Sequence, residues 1–155
     1  MKGESFESGA PKEENVDIIF NKSNFFPVFS TDIINANREI LLVSPFVTKR
    51  RTLQIIRDLE IALSKNVKVI VVTRPSDDFK NKHLDTWQEA INQLNTVNIH
   101  VVFKPNIHQK FAIIDQRIVW YGSINLLSYG SAEESMMRIE STKIAYELIE
   151  SVENH

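Results

Sequence analysis

The sequence predicts an α/β fold in which helices flank a mixed β-sheet. Apolar segments typical of buried strands alternate with segments of helical spacing up to about residue 103. After Pro105 the pattern changes to two short strands joined by a three-residue turn, Asp115–Arg117, which predicts a hairpin. Alternating strands and helices favour parallel strands, and the hairpin adds antiparallel ones, so we expect an α/β sandwich with a mixed sheet.

Composition indicates one globular domain. The 155 residues are 43% hydrophobic and 25% charged, enough for one core but not comfortably for two. Residues 1–15 are rich in Gly, Ser, Glu, Lys and Pro and lack periodicity, so we expect a flexible tail or linker there, followed by a single domain over residues 16–155. The chain has no cysteine, no signal-like apolar segment and no run of membrane-spanning length, so we expect a cytoplasmic protein that does not enter a membrane.

The first half of the domain is predicted to form a helix, a strand, a helix and a strand. Phe29, Ile33 and Ala36 have helical spacing, whereas the segment after them is continuously apolar, as in a buried strand. Asn66 closes the second helical pattern and is expected to cap it. The predicted segments are residues 26–38, 39–47, 52–66 and 67–74.

The second half is predicted to add one more helix and strand, then the hairpin, a further strand and a last helix. Helical spacing runs through Leu84, Trp87, Ile91 and Leu94, and the strands are short apolar runs between turn residues. The predicted segments are a helix over residues 83–95, strands over 97–103, 109–115, 117–123 and 135–140, and a helix over 142–152.

One stretch, "NIHQKFAIIDQRIVWYGSIN", carries an unusual set of polar residues. If its first part is a strand, His108 and Lys110 project from one face about 7 Å apart, while Phe111 and Ile113 face the other way into packing. Two reactive side chains would then share one site.

A second polar pair follows on the next strand. Ser123 and Asn125 are also two residues apart, and Gly122 removes a side chain where close approach is needed. Pairing of the two strands would bring them beside His108 and Lys110. An imidazole, an ammonium, a hydroxyl and an amide suit a phosphoryl group, because the donors neutralise its oxygens while the histidine attacks it or transfers a proton.

Other chemistries fit less well. Ser123 lacks the G-x-S-x-G context of a serine hydrolase, and no Gly-rich phosphate loop is present. The histidines do not have zinc-ligand spacing, so neither a metal nor a cofactor is expected. The four histidines in question are His83, His100, His108 and His155.

Each polar residue alone has an ordinary explanation, and only their conjunction points to a site.

The conjunction resembles the signature of the phospholipase D superfamily. That signature reads H-x-K-x4-D-x6-G-S-x-N, and here it is filled by His108, Lys110, Asp115, Gly122, Ser123 and Asn125. The wording "IVWYGSINLLS" is similar to domains of this superfamily attached to helicase- or ATPase-like proteins, so a larger protein of that kind is a possible context. The resemblance implies a phospholipase D/nuclease-like α/β sandwich that cleaves phosphodiesters.

The resemblance also assigns roles. His108 would be the nucleophile that forms a phosphohistidine, and Lys110, Ser123 and Asn125 would bind the phosphate. Glu134, or its neighbour Glu133, would orient the histidine, although a solvated glutamate at a strand edge is nearly as good an interpretation. Asp115 carries over with the motif, but its turn position favours support of the local fold.

Many members of the superfamily carry two signatures, one histidine attacking and the other protonating the leaving oxygen. This chain has one, since no second H-x-K occurs. By resemblance to short single-motif nucleases, we expect a homodimer that places two copies of His108 in a shared site.

The substrate is the weaker inference. A net charge of −2 supplies no general attraction for a polyanion, so nucleic acid would need a local basic patch. Candidate phosphate contacts are Lys49, Arg50, Arg51 and Arg74, although a short basic run is as often a solvated loop. We expect a nuclease. The alternatives are a catalytically idle nucleic-acid-binding domain of a helicase-like protein and a phospholipid headgroup hydrolase or transferase.

Overall fold

The structure is a computed structural model that describes residues 18–79, 84–128 and 133–153. The predicted tail, residues 1–15, lies outside these ranges. The described strands are β1 Ile19–Asn21, β2 Glu39–Val43, β3 Lys68–Thr73, β4 His100–Phe103, β5 Phe111–Ile114, β6 Ile118–Gly122 and β7 Ser135–Glu140. The described helices are α1 Phe25–Ile34, α2 Lys49–Ser64, α3 Leu84–Thr96 and α4 Thr142–Glu153, and a short 3-10 turn spans Ser76–Asp78.

The seven strands form one mixed sheet in the order β1-β7-β6-β5-β2-β3-β4. Strands β2, β3 and β4 are parallel, and the other neighbours pair antiparallel. This confirms the predicted α/β class and mixed sheet. The sequence did not predict β1, because three residues are too few to establish a periodic pattern.

Both faces of the sheet are covered by helices, as in a sandwich. In β2, Ile40 and Leu42 pack into the larger core, which also holds apolar side chains of α1, α2 and α3. Leu41 and Val43 point the other way, into the smaller core covered by α4. Because β2 is buried on both faces, its sequence is a continuous apolar run rather than an alternating one.

A buried ion pair lies within the larger core. Asp32 of α1 accepts hydrogen bonds from the Arg138 side chain through both of its carboxylate oxygens, at 2.7 and 2.9 Å. The indole Nε1 of Trp120 donates to the same carboxylate at 2.8 Å. The charge of Asp32 is thus paired and hydrogen-bonded, as a buried carboxylate requires, and the network ties α1 to β6 and β7.

Most predicted elements agree with the structure to within a few residues at their ends. Asn66 has φ of 66°, the left-handed conformation of a helix C-terminal cap, as expected. The predicted hairpin is also present, with Asp115 and Gln116 at φ of 57° and 55° in its turn. One prediction is wrong: β5 begins at Phe111, so the segment with His108 and Lys110 is a connection that leads into the strand.

The sheet has two ends that matter for function. At one end, Val43 of β2 pairs with Phe111 of β5, and β6 closes at Gly122 beside the start of β7 at Ser135. We call this end the site edge. The opposite end, where Asp115 begins the β5–β6 turn, is the turn edge.

Candidate active site

His108 and Lys110 lie at the site edge, at the close of the connection from β4 to β5. This connection begins where Lys104 N donates to Thr73 O at 2.9 Å, and it ends where Gly122 N donates to Lys110 O at 3.2 Å. His108 is exposed and Lys110 is half-buried. Lys110 Nζ folds back to donate to His108 O at 3.0 Å, so the ammonium is held beside the backbone of the histidine.

Gly122 lies where β6 and β7 approach most closely. A Cβ added to it would meet Ser135 O at 2.3 Å and Met136 Cα at 2.9 Å, distances that no side chain tolerates. The predicted need for close approach is therefore confirmed. The approach also lets Ser123 bond to Ser135: Ser123 N donates to Ser135 O at 2.9 Å, and Ser135 N donates to Ser123 Oγ at 3.0 Å.

Asn125 links the site edge to the segment after β2. Its Oδ1 accepts a hydrogen bond from Phe46 N at 3.3 Å. In that segment Ser44 is fully buried, and its hydroxyl donates to Phe46 O at 2.7 Å and accepts from Leu127 N at 3.2 Å. With Oδ1 occupied, the Nδ2 group is the part of the Asn125 amide left to donate to an anion.

The four side chains expected to act together therefore lie on adjacent segments of one sheet edge. The Gly122–Lys110 hydrogen bond continues the β5–β6 ladder, so Ser123 follows directly beside the segment that carries His108. They provide an exposed imidazole, an ammonium, a hydroxyl and an amide. Within the described residues, no group of three or more His, Asp or Glu side chains could hold a metal ion. Such a set of donors can bind a phosphoryl group and present a nitrogen nucleophile to it.

Asp115, which the signature groups with the catalytic residues, lies at the turn edge instead. Strand β5 separates it from Lys110, a distance of about 16 Å along an extended chain. Its carboxylate accepts hydrogen bonds from the backbone N–H groups of Asn37, Arg38 and Glu39, at 3.0, 2.7 and 3.1 Å. Partial burial would raise the pKa of Asp115, but these three donors outweigh it and hold the pKa below its ordinary value. Asp115 was grouped with the catalytic residues through the motif, but its carboxylate holds the start of β2, the supporting role that its turn position favoured.

Glu134 precedes β7 and is half-buried, while Glu133 is exposed. Both line a cavity of about 260 Å³ together with residues of the β1–α1 turn, Asn21, Lys22 and Ser23. In the part of the chain that the structure describes, neither glutamate is hydrogen-bonded to His108, and β6 lies between β7 and β5. The orienting role of Glu134 or Glu133 therefore stays a prediction.

The four candidate phosphate contacts are placed differently from one another. Lys49 and Arg50 are exposed at the start of α2, with Lys49 Nζ 3.9 Å from Glu89 Oε2. Arg51 is only 7% exposed, and its guanidinium lies over the rings of Phe25 and Phe26. The guanidinium is enclosed because Arg51 lies on the side of α2 that faces α1. The prediction that Arg51 contacts phosphate is therefore corrected, since its side chain packs within the protein.

Arg74 is also largely enclosed, with its side chain 15% exposed and its Nε donating to Asp78 Oδ2 at 3.0 Å. Sequence reasoning missed Asp78, which lies near the signature histidine in space but 30 positions before it in the chain. A signal was available, since Asp77 and Asp78 follow the carboxyl end of the parallel strand β3, where functional groups collect in open α/β sheets.

Comparison with known proteins identifies the family. The sequence profile of a family described as cardiolipin synthase, PLD-like domain, matches residues 29–155, which include the whole signature. The chain belongs to the phospholipase D superfamily. No curated protein sequence matches this member of the superfamily. None of its described helices is long and apolar enough to cross a membrane.

Solved structures share the fold. NucT from Helicobacter pylori matches with a TM-score of 0.70 and 19% identity, covering 88% of this chain and 92% of its own. Nuc from Salmonella typhimurium, a phospholipase D family member, matches with a TM-score of 0.69 and 19% identity, covering 88% and 90%. TrmBL2, an archaeal chromatin protein with a novel mode of DNA binding, gives 0.58 and 14%, covering 90% of this chain and 52% of its own. At these identities the likeness concerns the fold.

Proposed function

We propose that this member of the phospholipase D superfamily is a metal-independent phosphodiesterase that cleaves nucleic acid. The observation that carries the proposal is the gathering of His108, Lys110, Ser123 and Asn125 at one edge of the sheet, with the imidazole exposed. Lys110 and Asn125 supply the positive charge and N–H groups that a metal ion would otherwise provide.

The reaction has two steps. A ring nitrogen of neutral His108 attacks the phosphorus, so that an N–P bond forms and the bond to the leaving oxygen breaks. A second histidine, protonated, gives its proton to that oxygen. Water then attacks the phosphohistidine, losing its proton to the second histidine, and the N–P bond breaks to restore His108.

The second histidine is proposed to come from another copy of the chain. Only one H-x-K occurs in the sequence, and a twofold axis through the site edge would bring a second His108 to the same phosphate. Exposure of His108 at that edge is compatible with this arrangement.

Nucleic acid is the proposed substrate class. Of the solved structures with the same fold, Nuc is described as a phospholipase D family member and TrmBL2 as a chromatin protein that binds DNA. Lys49 and Arg50, both exposed at the start of α2 directly after the site-edge segment, are the proposed contacts to flanking phosphates.

Mixed dimers test the shared site. Wild-type and His108→Ala chains are unfolded together and refolded at a series of ratios, with a mass tag on one chain to verify the mixed dimers. If each site needs a histidine from both chains, the total rate with a chromogenic diester falls as the square of the wild-type fraction. A linear decrease would rule out the composite site, and loss of wild-type activity in EDTA would rule out the metal-independent mechanism.

A second candidate is a DNA-binding domain without catalysis, working within a larger helicase-like protein. The fold shared with TrmBL2 favours it. Single-stranded DNA that is bound but left uncut by wild-type protein, while phosphatidylcholine is also left intact, would select this candidate over both hydrolases.

A further inference from the structure

The connection that carries His108 is held in place by a side chain from outside the signature. Between Lys104 and Lys110 the chain crosses the site edge with no regular structure. Asn106 adopts the left-handed conformation, with φ of 60°, and Ile107 is buried in the smaller core. The N–H of Asn106 donates to Asp78 Oδ2 at 2.8 Å. This bond fixes the backbone two residues before the imidazole.

Asp78 is itself firmly placed. Its side chain is 14% exposed, and the same oxygen that binds Asn106 accepts from Arg74 Nε at 3.0 Å. The carboxylate therefore joins the segment after β3 to the connection before β5. A charged acceptor bound by two N–H donors makes shorter and stronger bonds than a neutral one.

Arg74 is held in turn by its neighbours. Its guanidinium lies 5.6 Å from the ring centroids of both Phe46 and Phe79. Its carbonyl oxygen accepts a hydrogen bond from Trp87 Nε1 of α3 at 2.9 Å. Because both the side chain and the backbone of Arg74 are held, Asp78 is supported on a rigid part of the fold.

The electrostatics of the cluster agree with the geometry. The backbone hydrogen bond from Asn106, and after it the hydrogen bond from Arg74, hold the pKa of Asp78 below its ordinary value, against the effect of burial. The charges of Arg74 and of His108 lower it further. Asp78 is therefore ionised at neutral pH, and its carboxylate lies within electrostatic range of the His108 side chain.

We infer that Asp78 is a positioning residue for His108: its carboxylate holds the N–H of Asn106 and so fixes the connection from which the imidazole projects. The inference deepens the proposed function and rests on it, since His108 is taken as the nucleophile. Unlike the orienting role that the family resemblance implies for Glu134, this one acts through the backbone. Small displacements of a nucleophile are costly, because attack requires the reacting atoms to be aligned.

Three variants test the inference. Asp78→Ala removes the acceptor and the charge, whereas Asp78→Asn keeps one acceptor oxygen and removes the charge. The matched control is Asp77→Asn, which neutralises the exposed neighbour on the same 3-10 turn. Two properties are measured: kcat and KM with bis(p-nitrophenyl) phosphate, and the hydrogen exchange rates of the Asn106, Ile107 and His108 amides by NMR.

For Asp78→Ala we expect kcat to fall about 100-fold, with KM changed less than about threefold, because alignment rather than binding is lost. We expect the Asn106 amide to exchange about tenfold faster or more, since its acceptor is gone. Asp78→Asn should lie between this variant and the wild type, and Asp77→Asn should match the wild type.

The inference is overturned if kcat of Asp78→Ala stays within about twofold of the control, if the loss lies wholly in KM, or if Asn106 exchange is unchanged. If Asp78→Ala does not fold, Asp78→Asn decides, and wild-type values for both properties overturn the inference. A wild-type protein that cleaves no diester would refute the proposed function alone. The exchange rates would still show whether Asp78 holds the connection.

Discussion

The two ends of the β5–β6 hairpin carry the two parts of one sequence signature, and they differ in what their polar groups bind. At the turn edge, the Asp115 carboxylate is occupied by three backbone N–H groups of the chain itself. At the site edge, the His108 imidazole is exposed, and among the described residues the Asn125 amide is bonded through its oxygen alone. Residues of one motif therefore have different roles.

The difference separates folding from chemistry. A carboxylate that accepts several backbone hydrogen bonds has little capacity left for a substrate, and it stabilises the fold instead. An exposed imidazole contributes little to stability and is open to a substrate. Changes at the site edge should therefore affect activity, and changes at the turn edge should affect stability.

The largest effect on activity is expected from a pair of variants, one at the site edge and one at the turn edge. His108→Ala should lower kcat by at least about 10³-fold, because it removes the nucleophile. Its free energy of unfolding should change by less than about 0.5 kcal/mol, because the side chain is exposed. Asp115→Ala should do the opposite, with reduced stability and a nearly unchanged kcat in the folded fraction.

Urea denaturation and single-substrate kinetics on both variants provide the measurement. Asp78→Ala is unsuitable as a control, since it lies at the site edge. A loss of kcat in folded Asp115→Ala as large as that in His108→Ala would abolish the distinction between the two ends.

Gly122 is expected to be an exception, a site-edge residue whose substitution lowers stability as well as activity. Gly122→Ala places a Cβ against backbone atoms of Ser135 and Met136, so β6 and β7 must separate. We expect a loss of about 2–3 kcal/mol in the free energy of unfolding, at the upper part of the usual range for overpacking. Activity should fall too, because Ser123 is bonded to Ser135.

The matched control for Gly122 is Met137→Ala, which shortens an exposed side chain of β7 and adds no atom near the backbone. Thermal and urea denaturation compare the two variants. Equal stability of Gly122→Ala and wild type would mean that the close approach of β6 and β7 is not required.

The sequence predicted local features well and long-range placements poorly. Periodicity found the central strands, because β2 and β3 are buried on both faces and their apolar runs are unambiguous. The spacing of His108 and Lys110 suggested a strand, but strand pairing begins only at Phe111. Where pairing begins depends on the neighbouring strand, which a local pattern does not contain.

The candidate site divides in the same way. The signature residues near one another in the chain could be grouped from sequence, since hairpin geometry relates them. The position of Asp78 after a parallel strand marked it only as a general candidate, because its bond to Asn106 joins residues 28 positions apart through the tertiary fold. Arg51 and Arg74 were equally cationic in the sequence, and only packing distinguishes the enclosed residues from the exposed Lys49 and Arg50.

The smallest expected effect is the pH dependence of the turn edge. The folded-state pKa of Asp115 is lowered, so its ionised form stabilises the protein above the unfolded-state value of about 3.9. That stabilisation is lost as the pH falls through the lower folded-state pKa. Asp115→Asn should therefore cost about 1–2 kcal/mol at pH 7, the lower part of the range for hydrogen bonds to a charge, since the carboxylate is only half-buried.

The cost of Asp115→Asn should shrink toward zero below about pH 4, where the wild-type carboxyl takes up a proton and comes to resemble the amide. Urea denaturation of both proteins across this pH range measures it, with Asp77→Asn as the control for general acid effects. A difference that stays constant down to low pH would mean that the three backbone N–H groups do not depend on the charge of Asp115. Neutral hydrogen bonds would then be enough to hold the turn edge. The two edges would no longer differ as an ionised group bonded within the protein differs from a polar group open to substrate.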